Sequence, residues 1–209
     1  MRLVVCRLVA LAVVTAGAGC GPRLHNWAGA LPDGVLPVPY KRATRFSSCL
    51  VAATAMAAEY VDQRPFSEPA MRRSLHEAGL SETRPGDVAE WLRGRGLDMI
   101  VLAGTLSAEA PLGIEYWLTR RGHPVVCIIN RKGGDPKYNH AVVVVGVQRT
   151  QGADAIHYLD PASERGLERA DAATFEQWWE RGQRAMMIVL NPPAGQDATP
   201  ALSKKEPPT

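Results

Sequence analysis

Aromatic side chains make up only 6% of the chain, and no apolar stretch beyond the N-terminus is long enough to span a bilayer. Spacings that announce chemistry are scarce as well. No C-x-x-C or H-E-x-x-H pattern is present, so no metal is implied. No Gly-rich phosphate loop is present either, since Gly133-Gly134 alone is a turn. Charge of one sign is not in excess: 24 basic side chains face 21 acidic ones, and Arg2 and Arg7 fall within the first 19 residues. That balance leaves no electrostatic footprint for nucleic acid. Nothing in the pattern requires a cofactor. Cysteine is confined to Cys6, Cys20, Cys49 and Cys127.

Hydrophobic residues, by contrast, supply 46% of the chain, enough for one packed domain within 209 residues. Residues 1–19 combine two arginines, an apolar run from Leu8 to Val14 and small residues from Ala16 to Gly19. A positive start, a short apolar stretch and a small-residue exit describe a signal peptide. Gly17-Ala18-Gly19-Cys20 resembles a bacterial lipobox, which predicts Cys20 as a lipidated first residue. Ala16-Gly17-Ala18 equally satisfies ordinary signal cleavage. Because Gly21 is not Asp, resemblance to such lipoproteins points to a periplasmic protein anchored to the outer membrane. Residues 20–36 read as a tether, 37–190 as the folded domain, and 191–209, with five prolines among polar residues, as a disordered tail.

Within the domain, helices precede strands, which predicts an α+β fold. Ser47-Ser48 are N-cap candidates for a helix from Cys49 to Val61. Further helices are expected over 68–78, 87–92, 108–121 and 175–180. Strands are expected over 99–102, 124–130, 140–147, 155–160 and 185–190, with a hairpin around Gln151-Gly152.

Cys49 opens the first helix, where unpaired N–H groups and the helix dipole favour a thiolate. His140 opens a strand of four valines behind a loop, a place where a reachable base belongs. If the two hairpin strands pair around Gln151, Asp160 comes within about three residues of His140 in register and can hold its ring. An exported compartment also permits a disulfide between Cys49 and Cys127, although Cys127, set among Val125, Val126, Ile128 and Ile129, suits core packing. His157 falls on a strand face open to exposure. His25 and His76 have no partner pattern, His123-Pro124 marks a turn, and Trp178-Trp179 anchor a helix on the sheet.

Val38-Pro39-Tyr40, Cys49 at the head of a small-residue helix, Tyr138-Asn139-His140 before the valines, and Tyr158-Leu159-Asp160-Pro161 together resemble the papain-like, bacteriocin-processing peptidases that remove double-glycine leaders. The resemblance implies a papain-like fold, helices packed on an antiparallel sheet, and hydrolysis of a peptide or protein substrate without a cofactor. It assigns Cys49 as nucleophile, His140 as base and Asp160 as orienter. Two positions depart from that family. Its glutamine about six residues before the cysteine, which donates to the oxyanion, is Ala43 here, and its Asp-Cys-Gly is Ser48-Cys49-Leu50. Thr44, Arg45, Ser47 and Ser48 are the nearest replacement donors. The departures also suit a papain-like peptide-binding module without turnover. A cell-wall endopeptidase or amidase is the remaining alternative.

Overall fold

Alanine determines where the first long element sits. In the computed structural model, which describes residues 30–150 and 154–191, helix α1 runs Cys49–Asp62 and is buried at every residue from Leu50 to Ala58. Alanine is the strongest helix former, and a helix apolar all round belongs in an interior. Its small side chains let it pack closely on the sheet. Helix α2 (Glu68–Glu77) begins where Ser67 accepts the Ala70 N–H, and α3 (Pro85–Arg93) begins with a proline that has no N–H to leave unpaired.

Among the described residues six strands follow: β1 (Asp98–Ala103), β2 (Val125–Asn130), β3 (Asn139–Gln148), β4 (Ala155–Leu159), β5 (Leu167–Asp171) and β6 (Ala185–Leu190). They form one sheet in the order β1-β6-β2-β3-β4-β5, with antiparallel pairing throughout. Helices α1 to α3 cover one face, where Val126, Val143, Val145 and Val189 point. Helices α4 (Ile114–Arg120) and α5 (Ala172–Arg181) cover the other, packing on Val125, Cys127, Val142, Val144 and Ile188. Burial on both faces explains why β2 and β3 read as unbroken apolar runs. The fold is α+β, and helices lie on both sides of the sheet.

The β3–β4 pairing sets the site. Val143 lies opposite Leu159 and Val144 opposite Tyr158, then the register slips so that Gly146 faces His157. Val145 is the extra residue of this bulge, and its carbonyl accepts the Leu36 N–H at 2.8 Å. Val35 and Leu36, expected in the tether, thus pack on the folded body. One step beyond Leu159, Asp160 comes level with Val142, two residues from His140 along β3.

Other expectations need correction. The helix predicted over 108–121 begins only at Ile114. Pro111 has no N–H to donate, and residues 105–113 instead close a loop in which Thr105 N–H meets the Leu112 carbonyl and Ile114 N–H meets that of Thr105. Gly113 is required there, because a Cβ would lie 1.8 Å from the Ser107 carbonyl oxygen. Strand β5 went unpredicted because Leu-Glu-Arg-Ala-Asp buries only Ala170. His157 is buried, not exposed, and its Nε2 lies 3.3 Å from Gln148 Oε1. Residues 1–29, with His25, Cys20 and the signal segment, the Gln151-Gly152 turn, and the tail from 192 onward lie outside the described residues.

Candidate active site

Three segments converge at one end of β3. The first is the start of α1. Phe46–Ser48 make a 3-10 turn, and Ser48 occupies the N-cap position without capping α1. Its hydroxyl donates to the Arg45 carbonyl at 3.0 Å instead. The N–H groups of the first turn thus receive no side-chain cap from Ser48.

The second segment is the loop before β3, held by a residue that sequence reasoning missed. Asn130 is fully buried. Its amide donates to the Asp135 carbonyl at 2.8 Å and to Asn139 Oδ1 at 3.0 Å, while its oxygen accepts the N–H of Lys132 at 2.9 Å. The loop is thereby folded onto the strand end, and His140 is delivered at a fixed point.

The third segment is the Asp160-Pro161 turn. Asp160 Oδ1 accepts the Ala162 N–H at 2.8 Å and the His140 Nε2–H at 2.6 Å. Its Oδ2 accepts from Arg131 Nη2 at 3.0 Å. The Val38-Pro39-Tyr40 stretch ties this turn to the approach of α1. Tyr40 donates its hydroxyl to the carbonyls of Asp160 and Ser163, and the Ala43 N–H bonds the Pro161 carbonyl at 2.9 Å.

With Nε2 committed to Asp160, His140 has Nδ1 left for Cys49, which lines the same cleft and lies near enough for each to influence the other's ionisation. Asp160, His140 and Cys49 thus lie in a row, the first two joined by a hydrogen bond and the last two lining one cleft. Burial opposes ionisation of the Cys49 thiol, but the neighbouring His140 ring and its charge, with the nearby Ala141 and Leu50 N–H groups, outweigh it and lower its pKa. Burial likewise disfavours the His140 cation, yet the bond to Asp160 and the neighbouring Cys49 raise its pKa to about 9. Asp160 resists the upward push of burial through its bond to His140, the His140 charge, the Ala162 N–H and the Arg131 charge, and falls to about 2. These directions favour a thiolate–imidazolium pair backed by a carboxylate.

They also set how stability depends on pH. The depressed Asp160 contributes stability that is complete above its ordinary value of 3.8 and lost as pH falls through about 2. The raised His140 contributes stability that is complete below 6.5 and lost as pH rises through about 9, partly offset by the depressed Cys49. Unfolding free energies from denaturant titration are therefore expected to peak between about pH 4 and 6.5 and to decline on both sides by roughly 2 kcal/mol. His140→Gln should flatten the alkaline decline. An unchanged alkaline slope in that variant would place its origin elsewhere.

The row opens on a cleft of about 550 Å³ lined by Leu50, Ile128, Ala141 and Ala185, with Phe46 exposed at 93% on its rim. Such a depression suits an apolar side chain beside the sulfur. The replacement donors expected from the sequence are otherwise engaged. Thr44 donates to Glu68, Ser47 to Glu82 at 2.6 Å, and Ser48 to the Arg45 carbonyl. Arg45 lines a separate, polar cavity with Arg72, Arg73 and His76. Cys49 and Cys127 are both free. Cys127 is buried on the α4–α5 side of the sheet, where burial raises its pKa, so the disulfide alternative does not hold. Trp179 anchors α5 by donating to the Ala185 carbonyl at 2.9 Å, whereas Trp178 lies under Arg131.

A model of the family described as papain-like cysteine protease AvrRpt2 matches residues 34–180, a span that holds all three segments. The chain belongs to this papain-like cysteine protease family. Solved structures share its fold. The peptidase domain of Streptococcus ComA, a bifunctional ABC transporter of a quorum-sensing pathway, is 15% identical with a TM-score of 0.56, over 73% of this chain and 97% of that domain. A C39-like peptidase from Bacillus anthracis is 16% identical with a TM-score of 0.52, over 72% and 94%. A double-glycine-motif protease from an AMS/PCAT transporter, solved with its leader peptide, is 17% identical with a TM-score of 0.51, over 77% and 94%. No curated sequence matches the chain. The match to this protease family and the likeness to leader-peptidase folds meet at the papain-like level of the sequence resemblance.

Proposed function

We propose that this papain-like protease hydrolyses peptide bonds through Cys49, His140 and Asp160. The observation that carries the proposal is the bond from Asp160 to His140 beside a sulfur at the tip of α1, with His140 and that sulfur lining one open cleft. The Cys49 thiolate attacks the carbonyl carbon of the scissile bond, and the Cys49 N–H in the first turn of α1 holds the developing oxyanion. His140 Nδ1–H protonates the leaving amine as the C–N bond breaks, which leaves a thioester on Cys49. Water then attacks the thioester and gives its proton to His140, the acid product leaves, and the thiolate–imidazolium pair is restored. Asp160 keeps the ring in place and favours its charged form.

Ala43 removes the glutamine donor common in similar peptidases, and losing one oxyanion donor lowers turnover about 10²–10³-fold. Slow hydrolysis is therefore expected. The substrate class is a peptide or an unstructured protein segment, of which the leader peptide bound by the AMS/PCAT protease is one form. Export through residues 1–19 and lipidation at Cys20 would place the enzyme in the cell envelope, on substrates that have already crossed the inner membrane.

The test is cleavage of a diverse peptide mixture, read by mass spectrometry, with wild type beside Cys49→Ala. Radiolabelled lipid incorporation that disappears in Cys20→Ala tests the anchor. A second reading, peptide binding without turnover, is favoured by Ala43 and the engaged hydroxyls of Thr44, Ser47 and Ser48. Tight peptide binding by both wild type and Cys49→Ala, with cleavage by neither, would establish it.

A further inference from the structure

The mechanism assigns no part to Arg131, although its guanidinium is more tightly specified than a loop cation needs to be. It lies 5.0 Å over the Trp178 ring of α5 and 5.8 Å from the Tyr158 ring of β4. Its Nη2 donates to the Tyr158 hydroxyl at 3.1 Å and to Asp160 Oδ2 at 3.0 Å. The backbone just beyond it is pinned by Asn130 through the N–H groups of Lys132 and Gly134. Stability alone does not account for this arrangement: the Asp160 side chain is 5% exposed, but that of Arg131 is 39% exposed, so the pair is only partly desolvated and contributes modestly.

Orientation does account for it. The torsion that turns a carboxylate plane is broad and weakly restrained. Oδ1 alone, held by the Ala162 N–H, leaves the plane free to swing about that contact. A second donor on Oδ2 fixes it. We infer that Arg131 is a positioning residue of the site: by holding Oδ2 it aims Oδ1 at His140 Nε2, and its cation moderates the negative field that Asp160 exerts on the Cys49–His140 pair. This rests on the proposed role of that pair.

Tyr158 from β4 and Tyr40 from the segment before α1 face the same carboxylate, with Glu168 of β5 near both tyrosines and Arg42 near Tyr40. Lys137 borders the cleft on the side of His140. Arg131 is the cation bonded to Asp160 on the side away from His140. Its removal leaves a more negative surround, which favours the imidazolium and disfavours the thiolate. The ionisation limbs of both Cys49 and His140 should then move to higher pH.

The experiment is the rate of Cys49 carboxamidomethylation from pH 4 to 10 in wild type, Arg131→Gln and Arg131→Lys, with Cys127 resolved by peptide mass. Peptide turnover is measured in parallel. In Arg131→Gln the acid limb should rise by roughly half a unit or more, so that Cys49 reacts about 3-fold more slowly on that limb. The turnover number should fall about 10-fold while KM stays within about 2-fold. Arg131→Lys, which keeps the charge without the planar fork, should return the limb toward wild type and recover turnover only in part. An unmoved limb in Arg131→Gln, or a lysine variant no different from the glutamine variant, overturns the inference. So does unfolding of Arg131→Gln, because that would make Arg131 a framework residue. Alkylation needs no substrate. If the wild type cleaves nothing while Arg131→Gln still shifts the limb, the peptidase reading fails and the inference stands. A Cys49 no more reactive than a free thiol sinks both.

Discussion

Cys49→Ala is expected to lower peptide hydrolysis by at least about 10⁴-fold, because what then remains is binding and the helix-tip N–H without a nucleophile. The fold should survive. Cys49 is only partly buried and packs at the margin of the α1-side core, and alanine is the commonest residue type of that helix. The substitution removes the sulfur and the negative partner of His140 while leaving the Asp160–His140 bond in place. Hydrolysis that persists at a tenth of the wild-type rate or more would show that the sulfur is not the attacking atom.

Asp160→Ala should have the second largest effect, and on two readouts together. Asp160 is 5% exposed at its side chain and bonds His140, Arg131 and the Ala162 N–H. Its loss leaves a shielded imidazolium and a guanidinium without their shared anion. Stability is expected to fall by about 2–3 kcal/mol, below the range for wholly buried pairs, because the His140 side chain is 20% exposed. Turnover should drop about 10²–10³-fold as the imidazole loses both its orientation and its raised pKa. Asp160→Asn preserves the shape and removes the charge, so most of the turnover loss should remain while stability recovers in part. A full return of turnover in Asp160→Asn would mean that the carboxylate acts only as a spacer.

The sequence showed most of the order of elements and the elements that carry Cys49, His140 and Asp160, and these have simple physical origins. An alanine-rich run must be a buried helix, a four-valine run must be a central strand, and a short connection between two apolar runs must be a hairpin. Antiparallel pairing then brings residues 140 and 160 near each other whatever the details. Arg131 and Asn130 were not visible in the same way. Their partners lie on other strands or across a loop, and an arginine beside Gly133-Gly134 reads as a solvated turn. The engaged hydroxyls of Thr44, Ser47 and Ser48 were hidden for a related reason: their acceptors, Glu68, Glu82 and the Arg45 carbonyl, depend on how α2 and the turn before α1 fold back. Strand β5 escaped because an edge strand gains its place from backbone pairing with β4 rather than from apolar alternation.

Labelling by iodoacetamide at pH 6, with Cys49 and Cys127 resolved by mass and free cysteine as reference, tests the proposed site most directly. At that pH an ordinary thiol is almost wholly protonated. The expected result is that Cys49 reacts at least about 10-fold faster than free cysteine, that Cys127 stays unmodified, and that the advantage of Cys49 disappears in His140→Ala. A Cys49 that reacts no faster than free cysteine, or just as fast without His140, would contradict the thiolate–imidazolium pair on which the mechanism depends.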